Sequence, residues 1–155
     1  MPFRLTVAAA ALIAAQAAWA VGPAPAKTWT MSAIAGDRAA SAAFGAMKRG
    51  HALPAWVTRG GTESPATTVS FGGHDVYVMT ACKPHECGTE RIAVLYDPLK
   101  KVMYGVLSVS GPKEGAQRLT WLNIGGGNES IDGRTILYAA LTGSLENHPD
   151  AFNYK

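Results

Sequence analysis

Between Thr67 and Leu122 the chain offers five runs rich in β-branched and aromatic residues, with very little chain to join one to the next. The runs are Thr67 to Phe71, Asp75 to Ala81, Arg91 to Tyr96, Val102 to Ser110 and Arg118 to Leu122. Gly72-Gly73, the segment from Cys82 to Cys87, Asp97-Pro98 and Gly111-Pro112 separate them. A parallel pair of strands needs a crossover of a dozen or more residues, so links this short dictate an antiparallel meander. No internal repeat accompanies the pattern. The expected fold is α+β, a single domain with an antiparallel sheet of about five strands and short flanking helices.

Helical periods lie on either side of the strands. Ala40, Ala43, Phe44 and Met47 recur at steps of three and four, which predicts a helix capped by Ser32 or Asp37, running through Lys48 and stopped by Gly50. Leu53 to Val57 reads as a short extended piece, and Arg59-Gly60-Gly61-Thr62 as a turn. After the Gly125-Gly126-Gly127-Asn128 loop, Ser130 or Asp132 can cap a last helix from about Gly133 to Leu141. Leu137 and Leu141 fit that helix, while Thr135, Ile136 and Tyr138 also suit a strand. Glu146-Asn147-His148-Pro149-Asp150 is expected to break regular structure and wrap over the domain.

The N-terminal end has a different character. Arg4, an apolar run from Leu5 to about Ala15, and Ala18-Trp19-Ala20 have the three-zone plan of a secretory signal peptide, so residues 1–20 are expected to be cleaved after export. The apolar run is shorter than a membrane span, and no other run of about 18 apolar residues follows, so no membrane anchor is expected. Removing twenty of the 155 residues leaves about 135, enough for one core. From Val21 to about Thr28 the sequence is rich in Pro and Ala without an apolar period, and residues 21–31 are expected to be a flexible lead-in to a domain over 32–155. Losing Arg4 lowers the formal charge from +3 to +2, with both signs interspersed, so nothing reads as a nucleic-acid stripe.

Two cysteines five positions apart in an exported chain read as an intramolecular disulfide, Cys82 with Cys87; a free buried pair is the alternative. Lying between two strands, the ring is the tip of a hairpin and should protrude. Closing a ring of about six residues removes only about 2 kcal/mol of unfolded-chain entropy, so rigidity is its larger effect. Pro84 fixes its own φ and biases Lys83 toward an extended conformation, which holds His85 on a stiff platform.

Leu53-Pro54-Ala55-Trp56-Val57, Cys82-Lys83-Pro84-His85-Glu86-Cys87-Gly88, Arg91-Ile92-Ala93-Val94, Leu119-Thr120-Trp121-Leu122-Asn123 and the segment Leu141 to Asp150 with Phe152-Asn153-Tyr154-Lys155 together resemble the inhibitor of vertebrate lysozyme family, called Ivy. The matches stand in order and cover nearly all of the expected mature chain. The resemblance implies a periplasmic protein, with no enzymatic activity and no cofactor, that inserts a loop histidine into the substrate cleft of c-type lysozyme. That histidine is His85; Lys83, Pro84 and Glu86 are its neighbours at the contact. The resemblance also admits a homodimer. Restraint of the bacterium's own lytic transglycosylases is a competing reading, since those enzymes use an acidic residue in a similar cleft.

Other chemistry is poorly supported. Cys, His and Glu are metal ligands, but no second cluster stands at zinc spacing, and the redox Cys-x-x-Cys is absent. Ser110-Gly111-Pro112-Lys113 matches a Ser-x-x-Lys pattern, yet it lies in a Gly-Pro turn where that pattern needs a helix. Gly125 to Gly127 lacks the Lys and Ser or Thr of a phosphate loop, and Asn128-Glu129-Ser130 is only formally a glycosylation site. His51, His74 and His148 fit structural hydrogen bonds. Trp56 and Trp121 sit within apolar stretches that suit a core, although sugar stacking would make the chain a peptidoglycan-binding module.

Overall fold

A computed structural model describes residues 27–155. The expected signal peptide, residues 1–20, and the first part of the expected lead-in lie outside that range. Helix α1 spans Arg38–Met47. Strands follow at β1 (Thr62–Glu63), β2 (Thr67–Phe71), β3 (His74–Cys82), β4 (Glu90–Asp97), β5 (Val102–Ser110) and β6 (Gln117–Leu122). Helices α2 (Asp132–Thr142) and α3 (Ser144–Asn147) complete the regular elements. All strand pairs are antiparallel. The sheet runs β1-β3-β4-β5-β6, with β2 pairing the other half of the β3 edge that carries β1. The five expected strands are present, each within a residue or so of its expected ends, and the two-residue β1 is an addition. Among the described residues no helix is long and apolar enough to cross a membrane.

Side chains alternate across a strand, and here both faces of the sheet are covered. Ile92, Val94 and Tyr96 of β4 point to one core with Met79, Met103, Leu122 and α1. Ala93 and Leu95 point to the other, with Val76, Val78, Val106 and the Ile136, Leu137 and Leu141 face of α2. That double cover is why β4 is apolar along nearly its whole length. Close approach of α1 depends on Gly105, where a Cβ would stand 2.9 Å from Met47 Sδ and 3.2 Å from the Ala93 carbonyl oxygen.

Several expectations need correction. Residues 27–31 are not a loose lead-in: Trp29 is 7% exposed and Met31 1%. Trp29 meets the rings of Tyr96 at 5.0 Å and Tyr77 at 5.8 Å, and its carbonyl accepts from Ala66 N–H at 2.8 Å. A lone large aromatic anchors this segment without any period. Ser32–Gly36 forms a separate 3-10 turn, so Asp37 is the residue that caps α1, accepting from Ala40 N–H at 2.9 Å. Ala55–Val57 is also a 3-10 turn rather than extended, which carries Val57 into the core.

The last helix is a helix, because the face made by Ile136, Leu137 and Leu141 finds the sheet, and tertiary burial outweighs the β preference of Thr135 and Ile136. Neither Ser130 nor Asp132 caps it: its N-cap position is Ile131, with no side-chain cap. Gly143 ends it in the left-handed conformation at φ 81°. The tail does wrap the domain but is more regular than expected, with α3 and a 3-10 turn over Pro149–Phe152. Asn153 Oδ1 accepts from Ser70 N–H at 2.8 Å and Tyr154 N–H donates to Ser70 O at 2.7 Å, closing the β2 edge.

Trp29→Ala should lower unfolding free energy by about 3 kcal/mol or more, the usual cost of emptying a large aromatic site. Urea denaturation measures it. A loss under about 1 kcal/mol would mean that residues 27–31 are dispensable to the core.

Candidate functional site

β3 and β4 pair as far as Cys82 opposite Arg91, and residues 83–89 leave the sheet there. Lys83 N–H donates to Glu90 O at 3.1 Å and closes the neck. The chain then reverses: Glu86 N–H donates to Lys83 O at 3.0 Å, with Pro84 second in the turn and His85 third at φ 63°. Proline at the second place and a positive φ at the third are the marks of a type II turn. Glycine normally fills that third place. Histidine is one of the few other residue types enriched at positive φ, and holding it there costs of order 1 kcal/mol, so the surrounding ring must impose it.

A disulfide joins Cys82 and Cys87, whose Cα atoms are 4.8 Å apart. Thr89 and Glu90 N–H groups donate to Glu86 O at 2.9 and 3.1 Å, and the Thr89 hydroxyl to the same oxygen at 3.0 Å. The loop is thus tied at its neck, across its middle and at its return. Residues His85 to Thr89 are exposed, while Lys83 and Pro84 are half-buried. His85 makes no hydrogen bond among the described residues. With both sulfurs bonded to each other, neither cysteine is available as a thiolate ligand.

The charges around the ring are spent on bracing it. Lys83 Nζ lies 3.0 Å from Glu86 Oε1 and 3.3 Å from Glu90 Oε1. The Trp56 indole N–H donates to Glu90 Oε2 at 2.9 Å. That bond is the largest influence on Glu90; with Lys83, it outweighs desolvation and holds the carboxyl below the usual carboxylate range. Glu86 first, and Glu90 second, raise the Lys83 ammonium above an ordinary lysine. A depressed carboxyl stabilises above its ordinary pKa and loses that contribution as pH falls through the lowered value. A raised ammonium loses its contribution as pH rises through the raised value. The brace is therefore complete across neutral pH.

The part that Trp56 and Glu90 play in bracing the loop escaped the sequence reading. Trp56 does pack against the core, yet its indole N–H leaves the core to reach the neck of the loop. The expected hairpin itself held the signal for Glu90: once Cys82 faces Arg91, Lys83 faces Glu90. Trp121 is half-buried, with the Arg134 guanidinium 5.1 Å from its ring centroid. His74 bonds Asp97 at 2.8 Å and Gly72 O at 3.2 Å, in keeping with a structural role. Ser110 ends β5 and Gly111 to Lys113 lie in the β5–β6 turn, closed by Gly111 N–H to Ala116 O at 2.8 Å.

Fold and loop together define a small α+β domain that presents one rigid, disulfide-closed turn. A family model described as Inhibitor of vertebrate lysozyme (Ivy) matches residues 39–121, from α1 through β6 and including the loop. The chain is 47% identical, over its whole length and 95% of the relative's, to the inhibitor of vertebrate lysozyme of Escherichia coli strain K12. It is 36% identical over 86 residues, 54% of this chain and 56% of the relative, to the protein of the same name in Pseudomonas aeruginosa. The chain belongs to the inhibitor of vertebrate lysozyme family.

Glu90→Gln, which removes the charge but keeps the shape, should lower the exchange protection of the Glu86 and Glu90 amides about two- to fivefold, the range of an exposed ion pair. Protection at Val94 and Leu95 should not change. Hydrogen exchange by NMR reads both, and unaltered loop amides would show the brace to be idle.

Proposed function

We propose that this chain is a protein inhibitor of c-type lysozyme that inserts the residue 83–89 loop into the enzyme's substrate cleft, with His85 against the two catalytic carboxylates. The observation that carries the reading is His85 itself, exposed and without a hydrogen-bond partner among the described residues, at the apex of a turn that a disulfide and a salt-bridge brace hold in place. A lysozyme cleft keeps one carboxylic acid protonated in an apolar pocket and another ionised. An imidazole donates to the ionised oxygen and donates or accepts at the other, occupying groups that sugar would engage. Because the loop is already ordered, little entropy is lost on docking. Pro84 holds the turn, and Lys83 and Glu86, paired with each other in the free protein, lie beside His85 at the contact.

The protein acts as a plug and not as an enzyme, protecting peptidoglycan from hydrolysis in the periplasm. Export through residues 1–20 fits the Cys82–Cys87 disulfide, which persists in an oxidising compartment. Titrating lysozyme with the chain and with His85→Ala tests the reading. Truncating one partner of a desolvated charge-assisted contact costs about 2 to 5 kcal/mol, so the variant should bind about 30-fold to several thousandfold more weakly. Equal inhibition by the two would overturn it, as would a parent chain that leaves lysozyme active but blocks a periplasmic transglycosylase.

Cys82→Ser should leave a folded domain, by circular dichroism, that inhibits less well, because the ring orders the loop more than it stabilises the core. An unfolded variant would make the disulfide structural first.

A further inference from the structure

We propose that the tip of the β5–β6 hairpin, Gly111 to Ala116, is a second arm of the same docking surface, and that one lip of the enzyme's cleft seats between it and the cysteine loop. The inference rests on the proposed inhibition of lysozyme and extends it. In an antiparallel meander alternate turns lie at the same end of the sheet, so the β3–β4 and β5–β6 tips project together while the β4–β5 turn lies at the opposite end. Ser110 N–H donates to Thr89 O at 2.8 Å and ties the two tips at their bases.

Size requires a second contact. A stable protein–protein interface uses about 20 to 30 residues a side and about 800 Å² per partner, far more than seven loop residues present. A loop entering a cleft brings the lip of that cleft down on whatever stands beside the loop. Here that is an open polar cavity of about 440 Å³ between the two tips, bordered by Arg91, Ser108, Lys113 and Gln117. Its wall is ordered before any partner arrives. Arg91 Nη1 is anchored on Leu141 O at 2.7 Å, which leaves its other N–H groups for a carbonyl or carboxylate acceptor. Gln117 Nε2 donates to the buried Ser108 Oγ at 2.6 Å, which fixes the exposed Gln117 side chain and leaves its carbonyl for the partner. The tip above it, Pro112 to Gly115, is exposed and carries Lys113 and Glu114. Such a surface suits main-chain groups and polar side chains of a cleft rim rather than an apolar ligand.

Two variants test the inference by binding kinetics on immobilised c-type lysozyme, with thermal unfolding as the folding control. Replacing residues 112–115 with Asn-Gly shortens the tip while keeping a favoured two-residue hairpin turn. It should speed dissociation about tenfold or more. Lys113→Glu, on an exposed turn that no core contact depends on, should change the association rate and its salt dependence by about threefold or more. If both variants bind within twofold of the parent while His85→Ala is impaired, the second arm is wrong and the lysozyme reading stands. A parent chain that does not bind lysozyme would sink both.

Discussion

The pairing of β3 with β4, from Tyr77 opposite Tyr96 to Cys82 opposite Arg91, is the constraint on which the rest depends. Side chains on a strand alternate with a period of two, so slipping this register by one residue would send Ile92, Val94 and Tyr96 toward α2 and Ala93 and Leu95 toward α1. Two cores of different shape forbid that slip. With the register held, the place where the chain must leave the sheet is held too, and so are the two cysteines that close the departure. Positions 83 and 90 face each other for the same reason, which is why a lysine and a glutamate there can brace the neck.

The loop is strained locally and supported globally. A histidine at φ 63° would relax if it were free to do so. It is kept by a ring of a few residues, by the Lys83 pairs with Glu86 and Glu90, and by an indole N–H reaching in from Trp56. These tethers act near the sheet and leave the apex bare. Stiffness is bought below and chemistry is displayed above, an arrangement suited to docking into a concave partner.

Much of the fold was legible in the sequence because the meander leaves few choices. Short Gly- and Pro-marked links dictate antiparallel neighbours, and β-branched runs mark strand ends to within a residue or so. Cys82, Pro84, His85 and Cys87 stood out because their residue types and close spacing lie in one short segment. What was not legible depends on contacts made far along the chain. Trp29 and Met31 show no period; Trp29 becomes core through the rings of Tyr77 and Tyr96, and Met31 through the cluster that includes α1. The last helix was half legible: Leu137 and Leu141 predict it, Thr135 and Ile136 prefer a strand, and the second face of the sheet decides for the helix. Trp56 was readable as apolar, but its bond to Glu90 spans 34 positions and follows from packing.

The most direct measurement is a two-dimensional NMR titration of the isotopically labelled chain with unlabelled c-type lysozyme. Amide signals of residues 83–89 should shift or broaden first and most, with those of 111–116 next, while α2 and the β4–β5 turn stay unperturbed. Perturbations centred on the groove between α2 and β6, around Tyr138 and Trp121, with the loop signals unmoved, would contradict the loop as the inhibitory element.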